Sequence, residues 1–382
     1  MDFELSEEQR LLKDSVERLL GDRYDFEARH RFMQSADGFS RDLWKQYAEL
    51  GLLALPFAEE HGGVGGGPVE TMIVLEALGR ALALEPYLAT VVLSGGLLRH
   101  AGSATQRNDI LPKIADGSLM LAFAHAERQS RFDLANVETE AKKDGAGWRI
   151  GGKKTLILHG NSADKLIVSA RVSGTRTDKD GLALFLIDVK ADGLSRRGYE
   201  TVDGLRAAEV TLEGVKVGVD AVVGEPGKAF PVIERVVHEA IAALAAEAVG
   251  AMTAMHEMTV DYLRQRKQFG VAIGSFQVLQ HKAVDMLVAI EQARSMMFYG
   301  TMMAVEEDAD ARRKAMSAVK AQIGNSGRTV GQIGTQLHGG IGMTMEYKGG
   351  HYFKRLAIID TMFGTADHHL KSLARAGGLG TV

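Results

Sequence analysis

The spacing of apolar residues changes twice along the chain, and this limits the fold more than any other feature. Up to about Ile114 apolar residues recur at helical intervals, with interruptions at residues 62–68 and around Pro86. Short runs rich in β-branched and aromatic residues follow, namely Trp148 to Ile150, Leu166 to Val172, Leu182 to Val189 and Val210 to Val217. Beyond residue 227 the spacing is helical again. We therefore predict an α+β fold.

The same pattern predicts three domains. We place an all-α domain at residues 1–118, a β-barrel or β-sandwich domain at 119–224 and a four-helix bundle at 225–382. The bundle helices are predicted near residues 229–266, 276–305, 311–338 and 351–376. A capping box formed by Ser6 and Gln9 predicts where the first helix begins.

Composition excludes several kinds of function. The chain has 45 Lys and Arg against 49 Asp and Glu, and it has no basic tract, so a nucleic-acid partner is not expected. The absence of cysteine excludes disulfides and thiolate chemistry, and redox activity would need a bound cofactor. The first ten residues are acidic and polar and do not resemble a secretion signal. We also expect that no later stretch is long and apolar enough to span a bilayer. We expect a cytoplasmic protein that does not enter a membrane.

Three motifs near the C-terminal end share features of a nucleotide site. They are R-K-Q-F-G at residues 266–270, Gln277, and Q-L-H-G-G-I-G at residues 336–342. An arginine can bind a diphosphate through two hydrogen bonds, a phenylalanine can stack on adenine, and glycines admit close backbone approach. Singly, each residue favours a structural role: Gly339 and Gly340 as a helix end, Arg266 and Gln277 as solvated surface groups. Jointly, and together with the family resemblance that they carry, they favour the nucleotide site.

With the domain order, these motifs resemble the acyl-CoA dehydrogenase family over essentially the whole chain. Three further segments resemble the small subunit of bacterial pimeloyl-CoA dehydrogenases: A-E-E-H-G-G at 58–63, E-P-Y-L-A-T at 85–90 and H-Y-F-K-R at 351–355. The resemblance implies FAD as cofactor, an acyl-CoA substrate, an electron-transferring flavoprotein as acceptor and a tetramer. In that family a carboxylate removes the substrate α-proton while the β-hydrogen leaves as hydride to the flavin.

The resemblance also assigns residues to the cofactor. The positions that bind the ADP end of FAD held by a neighbouring subunit correspond to Arg266, Phe269, Gln277, Gln336, Gly339 and Gly340. Thr365 corresponds to a retained position near the subunit's own FAD, whereas Asp367 replaces a glutamine there. A carboxylate beside a diphosphate is unfavourable.

The motifs that hold the flavin ring in this family are altered. Residues 126–133 match the T-E-P-G-x-G-S-D loop, keeping Glu127 and Asp133 but carrying Gln129 and Arg131 in place of glycines. Residues 156–158 read Leu-Ile-Leu at the positions of a W-x-T segment. We interpret that segment as a core strand.

Neither position of the family's catalytic glutamate holds an ionisable residue here. The resemblance aligns one with Phe363 and the other with Ala240. Glu239 and Glu247 are the nearest alternatives, but helix geometry points them elsewhere, and we interpret them as capped or solvated glutamates, Glu247 being partly buried. His238 and His338 are interpreted as packing or hydrogen-bonding residues.

These assignments predict a subunit of an FAD-dependent acyl-CoA dehydrogenase that lacks its own base and lends half of an FAD site to a large partner subunit. Two alternatives remain: a self-sufficient homo-oligomeric dehydrogenase with a relocated base, and a structural subunit without catalytic function. Pimeloyl-CoA as the substrate follows from the resemblance alone.

Overall fold

The computed structural model describes residues 4–377, and its elements follow the predicted α–β–α order. The first helices are α1 Glu7–Arg23, α2 Phe26–Gln34, α3 Arg41–Glu49, α4 Pro68–Ala81, a π-helix at Leu88–Gly95, α5 Gly96–Ala101 and α6 Ala104–Ala115. The predicted capping box is present, since the Gln9 amide donates to Ser6 Oγ and the Ser6 amide to Gln9 Oε1. The π-helix was not predicted. All eight of its residues are buried.

Eight strands follow among the described residues. They are β1 Leu121–Ala124, β2 Glu140–Asp144, β3 Gly147–Leu158, β4 Lys165–Arg171, β5 Leu182–Asp188, β6 Leu194–Glu200, β7 Arg206–Val217 and β8 Val222–Gly227. The four predicted runs correspond to β3, β4, β5 and β7. The strands β2 and β6 escaped prediction because most of their side chains are polar and exposed.

The strands form one sheet in the order β6-β7-β3-β2-β4-β5-β8, with β1 beside β4. A parallel pair, Glu140 with Arg171, joins β2 to β4. Strands on both sides of this pair bury a common apolar core that includes Trp148, Phe185 and Leu212. The α+β fold class is confirmed, with a middle β-sheet region between helical regions.

The C-terminal elements are α7 Phe230–Gln265, β9 Lys267–Gln268, β10 Val271–Ala272, α8 Gln277–Met303, α9 Ala309–His338, α10 Lys348–Thr361 and α11 Ala366–Arg375. Three predicted helices agree with α7, α8 and α9. The prediction of one helix over 351–376 was wrong, because residues 362–365 separate α10 from α11. Phe363 and Gly364 have φ angles of 56° and 116°, which a right-handed helix cannot include.

The chain divides into two compact units. One comprises Met1–His30, Pro68–Ala83 and Ile241–Val382, and the other comprises Arg31–Gly67 and Leu84–Ala240. The predicted domain boundaries at 118 and 224 stay a prediction.

By its length and composition, helix α7 could cross a membrane. The expectation that no stretch is long and apolar enough was therefore wrong. Within its most apolar window, 89 % of the residues are buried inside the molecule. This burial is typical of a core helix, whose apolar residues pack against protein.

Candidate cofactor site

A short hairpin brings the first three predicted cofactor residues together. Between β9 and β10, Phe269 and Gly270 form a two-residue turn with φ angles of 54° and 82°, both positive as a type I′ turn requires. Phe269 is 91 % exposed, and its ring lies edge-on to Phe276 with 6.2 Å between centroids. A bulky residue in the left-handed region is strained, and at this exposed aromatic residue the strain is consistent with the predicted binding role.

Arg266 and Gln277 flank this hairpin at its two ends. The Arg266 carbonyl accepts from the Ile273 amide at 2.8 Å, which fixes the backbone at the base of the hairpin. Its guanidinium is exposed, and within residues 4–377 no hydrogen bond or ion pair engages it. Gln277 is the first residue of α8 and is also exposed. Both side chains therefore keep their donors available for a ligand.

The second group of predicted residues lies at the C-terminal end of α9. The helix ends at His338, and Gly339 caps it with a φ of 63°. This confirms the helix-end interpretation of the glycines, which is compatible with a ligand role. An added Cβ on Gly339 or Gly340 would meet nothing within 4 Å, so the backbone here faces open space. Gln336 is exposed one turn earlier.

An open cavity of about 550 Å³ adjoins these residues. Its lining comprises Gln332, Thr335, Gln336, Gly339, Gly340, Met343 and Phe353. Within the described chain, the buried Thr335 hydroxyl has no hydrogen-bond partner. An unused hydroxyl, two amide side chains and open glycine backbone fit the polar nucleotide end of FAD. These residues would hold the ADP moiety.

Sequence reasoning missed Gln332, Thr335 and Phe353 as cavity residues. Gln332 precedes Gln336 by four positions, so the two share one helix face, and this spacing could have identified it. No local signal marks Phe353, because it reaches the cavity from α10.

The altered flavin-ring loop is held by contacts within the chain. Glu127 is buried, and its carboxylate accepts hydrogen bonds from the amides of Glu138 and Thr139 at 2.7 and 3.0 Å. It also accepts from Gln129 Nε2 at 2.5 Å and from the fully buried Lys154 Nζ at 2.7 Å. The side chain at a former glycine position thus binds the retained glutamate. Both oxygens of the Glu127 carboxylate are therefore bound by groups of the chain itself.

Lys154 extends this cluster into the sheet. Its ammonium also donates to the His125 carbonyl at 3.1 Å and to Ser169 Oγ at 3.0 Å. Burial lowers the pKa of Lys154 to about 8, against the opposing effect of Glu127. Burial alone would raise the pKa of Glu127, but the Lys154 ammonium and the hydrogen bonds bring it down to about 2. The pair is therefore ionised at neutral pH.

Two altered positions keep a left-handed backbone. Arg131, at a glycine position of the family loop, has a φ of 47°, and Leu156, at the tryptophan position, has a φ of 49°. Leu156 is 52 % exposed, so interpreting it as core was wrong, although its neighbour Ile157 is buried. An irregularity in the β3–β7 pairing between Lys154 and Ile157 turns Leu156 outward.

The loop at the first base position is ordered around Phe363. The buried Lys320 ammonium donates to the carbonyls of Ile359, Asp360 and Gly364, each at 2.8 Å. His369 Nε2 lies 3.0 Å from the Phe363 carbonyl. A strained residue persists when surrounding contacts determine it, and here they place a side chain that cannot accept a proton.

Thr365 has a structural use of its own. It is the N-cap of α11, where its hydroxyl oxygen accepts from the His368 amide at 3.3 Å. Its assignment to the cofactor stays a prediction. Asp367 is exposed in the first turn of the same helix.

Glu239 is not a solvated glutamate, and that interpretation was wrong. Arg99 Nη2 lies 2.6 Å and His100 Nε2 2.7 Å from its carboxylate oxygens, and Arg235 is 3.7 Å away. Burial would raise the pKa of Glu239, but His100 and the two arginines lower it overall. Its neighbour Ala240 is fully buried.

Glu247 is buried in a two-point ion pair. Arg355 Nε donates to Oε1 at 2.5 Å and Nη2 to Oε2 at 2.8 Å. This confirms the expected burial of Glu247, whereas the interpretation of it as a solvated glutamate was wrong. Both alternative bases, Glu239 and Glu247, are therefore bound to cations, and neither carboxylate is free to act as a base.

His338 has a structural role, as predicted. It donates through Nδ1 to the Gly334 carbonyl and packs against Tyr262 and Tyr347.

Comparisons with known proteins identify the family. Family models match three segments: the acyl-CoA dehydrogenase N-terminal domain at residues 6–118, the middle domain at 122–215 and the C-terminal domain at 228–378. The probable acyl-CoA dehydrogenase YngJ of Bacillus subtilis is 28 % identical over 98 % of this chain and 99 % of its own.

Two solved structures extend the comparison. A variant of the steroid ACAD Tcur3481-Tcur3483 is 30 % identical with a TM-score of 0.87 over 97 % of each chain. The FAD complex of PigA is 25 % identical with a TM-score of 0.90, covering 99 % of this chain and 100 % of the other. The chain belongs to the acyl-CoA dehydrogenase family, FAD-dependent oxidoreductases that act on the CH–CH group of acyl-CoA substrates.

Proposed function

We propose that this chain is a subunit of a heteromeric acyl-CoA dehydrogenase that lacks its own base and lends nucleotide-binding residues to a partner. One contrast carries the proposal. Arg266, Phe269 and the residues around Gly339 offer unused groups to a ligand, whereas Glu127 of the altered loop is paired with the buried Lys154 of β3.

Loss of the base has a direct catalytic consequence. FAD would supply the hydride acceptor, but a protein carboxylate must remove the α-proton, and a positioned general base contributes about 10²- to 10⁴-fold to rate. Phe363 and Ala240 cannot accept a proton. Use of Glu247 as the base would break its buried ion pair with Arg355, which costs about 3–5 kcal/mol. A partner that supplies the glutamate removes the conflict.

The remaining assignments are part of the same proposal. The two-part name of Tcur3481-Tcur3483 fits a two-component assembly. By the resemblance to pimeloyl-CoA dehydrogenase small subunits, we assign a large partner subunit, a tetramer, a dicarboxylyl-CoA substrate and an electron-transferring flavoprotein as acceptor. The assembly would work in the cytoplasm.

The first experiment compares this chain alone with the chain co-expressed with a candidate large subunit. Visible flavin absorbance and dye-linked acyl-CoA oxidation are recorded for both preparations. The proposal expects a colourless, inactive chain that becomes part of a yellow, active complex. A chain that is yellow and active alone, with activity lost in Glu239→Gln or Glu247→Gln, would instead establish a self-sufficient enzyme.

A second experiment tests the lending of residues. Arg266→Ala in the complex should weaken FAD binding by about 10- to 100-fold, because a charge-assisted hydrogen bond contributes about 1.5–3 kcal/mol. Arg264→Ala is the matched control, since Arg264 is exposed on the same segment and pairs only loosely with Asp261 at 3.7 Å. If both variants bind FAD like the wild type, the chain is a structural subunit.

The substrate assignment needs its own measurement. We would compare kcat/KM of the complex for pimeloyl-CoA, for heptanoyl-CoA, which lacks the distal carboxylate, and for a steroid acyl-CoA. Preference for pimeloyl-CoA supports the dicarboxylyl assignment. Preference for either other substrate overturns it while leaving the heteromer proposal intact.

A further inference from the structure

We propose that His351, held by Arg29, is a positioning residue that orders the glycine-rich segment 339–347 for nucleotide binding. The inference rests on the proposed function, because that segment lines the cavity assigned to the nucleotide. The contacts of His351 would order the segment in the absence of a ligand.

The contact geometry forms a continuous path through the interior. His351 lies in the first turns of α10 and is 1 % exposed. Its Nε2 is 2.9 Å from the Met345 carbonyl, and its Nδ1 is 3.0 Å from Arg29 Nη1. Arg29, itself 2 % exposed on α2, donates from Nε to the Leu82 carbonyl at 2.9 Å. The path joins the segment to α2 and to the end of α4.

The chemistry of the partners fixes the state of the ring. A guanidinium can only donate, so His351 Nδ1 must be the acceptor of the Arg29 bond. The proton of the neutral ring is then on Nε2, which donates to the Met345 carbonyl. A second proton on Nδ1 would remove the acceptor that Arg29 needs. The ring is therefore a fixed, neutral link between a buried cation and one carbonyl of the segment.

The charges around the ring favour the same state. Burial lowers the pKa of His351 to about 4, and Arg29, His30 and Lys354 add to the effect, while the Met345 hydrogen bond opposes it. The rings of Phe26 and His30 pack edge-on against His351, with centroids 5.0 and 5.3 Å away.

The segment's own contacts order only its first part. Residues 339–343 form a short 3-10 helix, and the Thr344 amide and hydroxyl both donate to the Ile341 carbonyl. Ile341 and Met343 are nevertheless 45 % and 76 % exposed, and Gly339 and Gly340 face open space. Ordering exposed residues has an entropic cost, and fixing them beforehand lowers the cost of binding.

The start of α10 packs closely on the same segment. A Cβ added to Gly350 would lie 3.2 Å from the Gly342 carbonyl and 3.3 Å from that of Thr344. Tyr347 packs its ring on His338 at 4.9 Å. The His351 bond to Met345 therefore fixes a carbonyl that lies between these two contacts in the sequence.

Two substitutions at one position separate positioning from mere packing. His351→Gln keeps both functions, since the amide nitrogen can donate to Met345 and the amide oxygen can accept from Arg29. His351→Leu keeps the bulk but removes both the bond to Arg29 Nη1 and the bond to the Met345 carbonyl. His256→Leu is the control, because it removes another histidine-to-carbonyl bond, from Nε2 to Ala283 at 3.1 Å, away from the segment.

The experiment uses the complex with the flavin-bearing partner, stripped of FAD. Amide hydrogen exchange of residues 339–347 and the FAD dissociation constant from flavin fluorescence are measured for each variant. We expect His351→Leu to speed exchange and weaken FAD binding, each by about tenfold, as loss of a buried hydrogen-bond partner implies. His351→Gln should stay within about threefold of the wild type, and His256→Leu should change neither quantity in this segment.

The outcomes distinguish this inference from the proposed function. Unchanged exchange in His351→Leu overturns the inference. Faster exchange with unchanged FAD binding also overturns it, and if Arg266→Ala still weakens FAD binding, the proposed function stands. If neither variant weakens FAD binding, the proposed function fails. Should His351→Leu not fold, ¹⁵N histidine spectra of the wild type decide: a ring protonated at pH 7, or one carrying its proton on Nδ1, overturns the inference.

Discussion

The two halves of the predicted cofactor site differ in where their polar groups are directed. In the retained half, the Arg266 guanidinium, the Phe269 ring and the Gly339 backbone face outward, and no hydrogen bond from residues 4–377 occupies the guanidinium. In the altered half, Glu127 is buried and bound to Lys154 and to backbone amides. Motif positions of one family can therefore leave their polar groups unused in one region and bind them internally in another.

Both halves nevertheless keep unusual backbone geometry. Phe269 in the retained half and Arg131 and Leu156 in the altered half all have positive φ angles, of 54°, 47° and 49°. The altered half thus holds a glycine-type conformation without the glycine. Left-handed backbone at residues other than glycine therefore occurs in both halves, and stability measurements can reveal the resulting strain.

The largest expected effect comes from the buried ion pair of the altered half. Lys154→Met should lower the free energy of unfolding by about 3–5 kcal/mol, because it leaves the Glu127 carboxylate buried without its cation. Lys165→Met removes a more exposed pair with Asp188 and should cost less than about 1 kcal/mol. Urea denaturation checks both. Equal losses would mean that the altered half is not held by this pair.

Acid should weaken the same cluster. The folded-state pKa of Glu127 is about 2, below its ordinary value of 4.5, so its contribution to stability is complete above pH 4.5 and declines as the pH falls toward 2. Glu127→Gln should therefore show a shallower loss of stability than the wild type over that interval. Urea midpoints at about pH 5, 4 and 3 test this. Parallel curves would contradict an ionised Glu127.

Phe269 should matter for binding and not for stability. Phe269→Ala should weaken FAD binding by the complex by about 5- to 100-fold, since stacking on a base contributes about 1–3 kcal/mol. Its free energy of unfolding should change by less than about 0.5 kcal/mol. Leu156→Ala is a matched control, because it is an exposed apolar residue with similar φ in the altered half. If Phe269→Ala and Leu156→Ala weakened FAD binding equally, the two halves would not differ in their contribution to the ligand.

The smallest effect concerns strain at Arg131. Arg131→Gly should be more stable than Arg131→Ala by about 1 kcal/mol, because only glycine adopts a positive φ without steric cost. Thermal denaturation of the two variants measures the difference. Neither variant should make the chain alone bind flavin, since Glu127 keeps its internal partners. Flavin uptake by Arg131→Gly would show that side-chain bulk alone blocks the ring site.

Particular residues show how far sequence reasoning reached. The sequence predicts α7, α8 and α9 because apolar residues recur at helical spacing over a long stretch in each, and this spacing is visible without knowledge of the tertiary structure. The break at Phe363 was not, because nothing local forbids phenylalanine in a helix, and the loop depends on carbonyl contacts from Lys320, which is distant in sequence. Glu239 was misjudged for a similar reason, since Arg99 and His100 approach it from another helix.

The sequence by itself determined the order of helical and β regions, the family and the absence of an ionisable residue at positions 240 and 363. These follow from residue identity and local spacing, which need no partner. Tertiary structure alone decided that Glu127 and Glu247 are consumed in buried ion pairs, that Phe269 stands exposed, and that Arg29 fixes the His351 ring. Such outcomes depend on which groups long-range packing brings within hydrogen-bond distance, and no local pattern encodes that distance.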